Sequence, residues 1–92
     1  MEDEEKRKKA IALRYTVGRD RAPVVVAKGR GELAERIIEI ARREGIPVVE
    51  DRHLVEALLR IEVFEEIPPV LYEAVARVLV FVQEVRRRSS LP

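Results

Sequence analysis

The sequence predicts an α/β fold, a small three-stranded mixed sheet covered by three helices. Three features carry that expectation. Val24–Val26 is a β-branched run, apolar on both faces like a buried strand; from Glu32 the apolar residues recur at helical spacing; and from Val70 a second such segment is apolar around most of its circumference. Ninety-two residues make a single domain. It is expected over residues 9–87, between a charged segment at 1–8, expected to be flexible, and a short tail at 88–92.

The elements follow in chain order. Ala10–Tyr15 alternates Ile11, Leu13 and Tyr15 with smaller or charged neighbours, the period of a strand. Thr16–Pro23 is a loop with Gly18, Asp20 and Pro23 as turn formers, and the buried strand Val24–Gly29 follows it. After Gly31, "ELAERIIEIARREG" puts Leu33, Ile37, Ile40 and Ala41 on one stripe, widened by Ala34 and Ile38, with Gly45 where a C-terminal cap belongs. Ile46–Asp51, "IPVVED", reads as the third strand, with Pro47 near its start, where the missing N–H costs least. Val24 to Glu50 would then be a right-handed βαβ unit.

Asp51 can cap the next helix, in which Leu54, Val55, Leu58 and Leu59 recur at helical spacing. "EVFEEIPP" interrupts it. Pro69 suits a first helical position and Glu73 a first turn. Leu71, Ala74, Val75, Val78, Leu79 and Val82 then form the stripe of a last helix reaching about Arg87. The order is β-β-α-β-α-α, without an internal repeat.

Composition narrows the function classes. Eighteen Lys and Arg against 17 acidic residues leave a net charge of +1, unlike the basic excess of a phosphate-backbone binder, so no nucleic-acid partner is expected. The local basic clusters Lys6–Lys9 and Arg86–Arg88 read as solvated ends. There is no cysteine, hence no disulfide and no thiolate metal site. The N-terminus has no apolar core of a secretory signal, and Glu73, Arg77, Gln83 and Glu84 interrupt the one apolar stretch that could suggest a membrane span. A cytoplasmic location fits these features.

The "KGRG" turn, Lys28–Gly31, invites a phosphate-cradle reading, because converging N–H groups, a helix start and a cation are what such a site needs. It does not match the P-loop, which requires Lys followed by Ser or Thr, nor the full dinucleotide fingerprint. Glu32 would also place a carboxylate where the phosphate should sit, so the turn reads as structural and no cofactor is expected. Nucleophiles are scarce: Ser89 and Ser90 lie in the tail, and Thr16 is the only threonine. His53 has no second histidine or cysteine to share a metal. Glu50–Asp51 and Glu65–Glu66 are adjacent pairs, whose carboxylates rarely converge on one site. No catalytic, cofactor or metal residues are assigned, and the chain reads as a non-enzyme.

Taken together, "ALRY", "APVVVAKG", "IPVVED" and "EIPPVLYEAVARVL", in that order, resemble the cytoplasmic C-terminal domain of the FlhB/YscU/SpaS family of type III export proteins over Ala10 to about Val85. In that family, the resemblance implies, a four-helix membrane domain precedes this domain, which cleaves itself at an Asn-Pro-Thr-His motif and helps switch the class of exported substrate. The matching positions here, directly before the first strand, are Glu5, Lys6, Arg7 and Lys8. None is the asparagine that would cyclise, so self-cleavage is not expected. Starting at Met1 without the membrane domain or the strand that precedes the motif, the chain is expected to be a free-standing paralogue.

The resemblance also implies a substrate-docking patch at Ala22, Pro23, Ala76 and Leu79: Pro23 sets the approach to the strand, Ala76 leaves room for a side chain, and Leu79 supplies an apolar floor. The alternative is that Ala76 and Leu79 simply pack against the sheet. Two positions depart from the family: Arg52-His53 stands where Pro-Pro is common, and Phe64 where glycine is usual. The implied partners are export substrates, export-gate proteins and a separately encoded membrane domain, at the inner face of the membrane. An unpaired sheet edge would invite a partner's strand or a strand-mediated homo-oligomer. A regulator competing with a full-length relative for substrates or the length-control protein is one alternative function, and a small nucleotide- or nucleic-acid-binding protein another.

Overall fold

The structure, a computed structural model, describes residues 8–89. Two strands, β1 (Lys9–Arg14) and β2 (Val24–Arg30), form an antiparallel two-stranded sheet. Three helices follow, α1 (Glu32–Arg43), α2 (Arg52–Leu58) and α3 (Tyr72–Ser89), the last led in by a 3₁₀ turn at Pro69–Leu71.

The register runs from Lys9 opposite Arg30 to Ala12 opposite Ala27, then slips so that Leu13 lies opposite Val25. The extra residue, Val26, makes a bulge, and bulges re-aim side chains. Here the slip sets Val25 beside Leu13 on one face, where it is fully buried with Leu54, Leu58, Ile67 and Val75. Around that cluster pack Ile11, Leu13, Ile61, Leu71, Ala74, Val78 and Leu79, so α2 and the first half of α3 cover this face. α1 packs on both strands, with Ala34 fully buried. The approach is close: a Cβ on Gly29 would lie 2.5 Å from Leu33 Cγ, so only glycine fits there.

The helix boundaries follow their caps. Asp51 accepts the Leu54 N–H at 3.0 Å and starts α2, as its position predicts. α1 closes with Gly45 in a left-handed conformation (φ 74°) while the Ile46 N–H returns to the Ala41 carbonyl at 2.8 Å, the Schellman arrangement. The last helix differs slightly from expectation. Its first turn is tightened to 3₁₀, with the Leu71 N–H bonded to the Pro68 carbonyl, because Pro68 and Pro69 offer no N–H donors of their own.

The expected third strand does not form, so the sheet is neither three-stranded nor mixed, and Val24–Glu50 is not a βαβ unit. Among the described residues the backbone groups of Pro47–Glu50 have no backbone partner, and Ile46 and Val48 are exposed. Only the start of β2, on the edge away from β1, is met by a later segment instead. Val24 bridges to Glu66, Phe64 N–H donates to the Val25 carbonyl at 2.6 Å, Val25 N–H to Glu65 at 3.1 Å and Ile67 N–H to Pro23 at 2.9 Å. β-branched residues make "IPVVE" fit for a strand, but a strand exists only where a neighbouring edge takes its backbone bonds.

Candidate docking surface

The "KGRG" turn is fully used by the fold. Lys28 reaches across the core face, and its Nζ donates to the carbonyls of Leu59 at 3.1 Å and Ile61 at 2.9 Å. These lie just past the end of α2, so a cation satisfies carbonyls that the helix leaves open and meets the negative end of its dipole. Gly31 adopts φ 60°, ψ −128°, a glycine conformation, donates its N–H to the Lys8 carbonyl and accepts from the Glu35 N–H at 3.1 Å. The lysine and the Gly31 N–H that a phosphate would need are thus already bonded. His53 is exposed in the first turn of α2, and among the described residues no three acidic, histidine or cysteine side chains gather.

The loop Thr16–Asp20 is pinned by Asp20, which accepts from Arg14 and from the Thr16 N–H. The Arg14 hydrogen bond, then that of the Thr16 N–H, holds its carboxyl below the ordinary value. Likewise the Lys9 ammonium bonded to Glu56 lowers that carboxyl and ties α2 to β1. Both groups have structural partners and neither faces an enclosed cleft.

The four residues of the implied docking patch divide. Ala22 is 2% exposed, so it offers shape rather than surface. Pro23 is half-buried and bonded through its carbonyl to Ile67. Leu79 is half-buried against the cluster that contains Val25, so Leu79 and the strand that Ala22 and Pro23 lead into share one core. Ala76 is exposed on the outer side of α3, one turn after the exposed Tyr72 and one turn before Val80. Of the four, Pro23 and Leu79 are half-buried, Ala76 is exposed and Ala22 is buried. Of the positions matching the lost cleavage motif, Glu5, Lys6 and Arg7 lie outside the described residues. Lys8 is exposed, and its ammonium lies 3.6 Å from Glu35.

Two features escape sequence reasoning. One is an apolar groove of about 560 Å³ floored by Ala57, Ile61, Pro68, Val70 and Leu71, with Glu56 and Arg60 at its rim. It forms where α2 meets the proline-led turn, and Val70 in it is 84% exposed. The other is Phe64, whose backbone is left-handed (φ 75°) and whose ring is 76% exposed. Left-handed geometry strains a bulky residue. The only signal for it in the sequence was a phenylalanine at a position where the resembled family has glycine.

Residues 7–82 match the sequence profile described as the FlhB HrpN YscU SpaS Family. The protein YlqH of Bacillus subtilis is 42% identical over 78 residues, 85% of this chain and 84% of its own length. Flagellar biosynthetic protein FlhB of Aquifex aeolicus is 46% identical over 80 residues, 86% of this chain. The chain spans only 23% of that FlhB. Among solved structures, the cytoplasmic domain of FlhB from Shewanella putrefaciens superposes with a TM-score of 0.84 at 36% identity, covering 88% of this chain and 64% of that one. The PscU C-terminal domain does so with a TM-score of 0.76 at 42% identity, covering 79% of this chain and 94% of that one. In sequence and in fold, then, this chain belongs to the FlhB HrpN YscU SpaS family.

Proposed function

We propose that the chain is a non-catalytic, non-self-cleaving module of flagellar-type protein export that acts in the cytoplasm and binds export substrates and export-gate components. The observation that carries this reading is the family match across residues 7–82, with Ala76 exposed on α3 and Leu79 half-buried against the core as residues open to test. Glu5, Lys6, Arg7 and Lys8 support the absence of cleavage, since no asparagine stands there. The test is an NMR titration of labelled protein with a peptide carrying the apolar export signal of an early flagellar substrate. Saturable shifts at Pro23, Ala76 and Leu79 are expected, and unchanged spectra at millimolar peptide would defeat the reading.

A second reading, resting on the 46% identity to an FlhB, is that the domain competes with a full-length relative for substrates or the length-control protein. Gene deletion separates the two: lost export indicates a component, whereas mistimed or excess export indicates a competitor.

Partner contact has a second proposed route, a strand added to β1. Among the described residues the β1 backbone makes no backbone bond away from β2, while 64–67 cover the start of β2's other edge, at Pro23–Val25. A separately encoded membrane domain or a second copy would pair there. Amide exchange at β1 that slows on adding such a partner, or with rising protein concentration, is the expected sign.

A further inference from the structure

We propose that the second half of α3 is a membrane-surface element that lies in the headgroup region of an anionic lipid bilayer. The inference begins with where the core stops. The α3 side chains packed against the core end at Leu79, yet the helix runs on to Ser89, about 15 Å further at 1.5 Å per residue. The apolar stripe does not stop with the core. Leu71, Val75 and Val78 continue at alternating steps of four and three into Val82 and Val85, which are half-buried but stand outside the core cluster.

On this overhang, Phe81 is 53% exposed. At 3.6 residues per turn, Phe81, Val85 and Arg88 fall within an arc of about 60°, and Arg86 follows Val82 one turn on. The result is a short apolar strip whose far end carries exposed arginines. That combination fits an interface: aromatic and aliphatic side chains enter the acyl boundary while guanidinium groups stay among phosphates. The charge chooses the lipid, since basic residues beside a bilayer are drawn to anionic headgroups. The helix lies on the surface rather than crossing it, for no helix of the described residues is long and apolar enough to span. The described lysines at the other end of the domain are engaged elsewhere, Lys8 with Glu35 and Lys9 with Glu56. A second copy on the same strip would bring its own Arg86 and Arg88 toward these arginines or leave them unneutralised, so lipid is the better match.

Vesicle flotation of the whole chain tests this. Phosphatidylcholine vesicles are compared with vesicles containing about 30% phosphatidylglycerol, enough to set a negative surface potential. Binding to the anionic vesicles alone is expected. The double variant Arg86→Glu, Arg88→Glu should weaken it about twentyfold or more, and Phe81→Ser about fivefold, with circular dichroism confirming the fold. The arginine variant decides alone if Phe81→Ser does not fold. Absent flotation or equal binding to both vesicles overturns the proposal. So does unchanged binding of the arginine variant, which moves the contact to the N-terminal basic residues. Binding that is insensitive to a folded Phe81→Ser overturns insertion as well.

Discussion

The Nζ of Lys28 sits between the carbonyls of Leu59 and Ile61, part-buried where α2 ends. Replacing it with methionine keeps the length and the apolar stem but leaves two carbonyls without that donor. Lys28→Met is expected to cost about 1.5–3 kcal/mol, the range for a hydrogen bond to a charged group, read as a lower urea midpoint with unchanged slope. A cost below about 0.5 kcal/mol would mean that water replaces the lysine freely. Phe64 carries the opposite expectation. Its left-handed backbone costs a non-glycine residue about 1–2 kcal/mol, and its ring, largely exposed, returns little packing. Glycine removes that strain but adds unfolded-state entropy, so Phe64→Gly is expected to stabilise the protein by up to about 1 kcal/mol. A destabilised variant would show that the ring packs on the domain.

Among the elements, the stretch Val24–Gly31 was legible in detail. The β-branched run gave the strand, the glycines gave the turn, and the periodicity gave α1 with its cap at Gly45. Asp51 announced α2 in the same local way. What could not be read was the neighbour of each strand, because pairing is decided by residues far apart in the chain. "IPVVE" has a strand's composition and Glu65–Ile67 does not, yet the latter borders β2. The bulge that turns Val25 inward is likewise invisible to a count of alternation. As for the docking patch, family resemblance supplied its residues, while periodicity alone packed both Ala76 and Leu79 inward, and of the two only Leu79 touches the core, Ala76 being exposed. The difference between the two β-branched segments is measurable. Val25→Ala should cost about 2–3 kcal/mol through the cavity it leaves, whereas Val48→Ser should cost less than about 0.5 kcal/mol. Native-state amide exchange should match, with β2 protected to the level of global unfolding and Val48–Glu50 exchanging through local opening. Equal protection in both segments would restore a third strand to the fold in solution.

Viewed whole, the molecule concentrates its stability at one end. Among the described residues every fully buried side chain lies on β2, on α1, between α2 and Ile67, or in the first half of α3, and none beyond Leu79 joins the core cluster. The distal turns of α3 hold themselves by helical bonds and by ion pairs such as Glu84 with Arg87, and exposed pairs of that kind contribute little. Ending the chain after Val82 should therefore leave the fold intact. The expected loss is below about 1 kcal/mol, part of it from the new carboxylate at the negative end of the helix dipole, and the urea slope should fall slightly as less surface is exposed on unfolding. A collapse of the native state, or a loss of several kcal/mol, would place Val82 and Val85 in the working core and make the overhang part of the domain. If the truncated chain folds and still binds the export-signal peptide but no longer floats with anionic vesicles, the two halves of α3 have separate duties. The first half would hold the core and border the docking flank, and the second would face the bilayer.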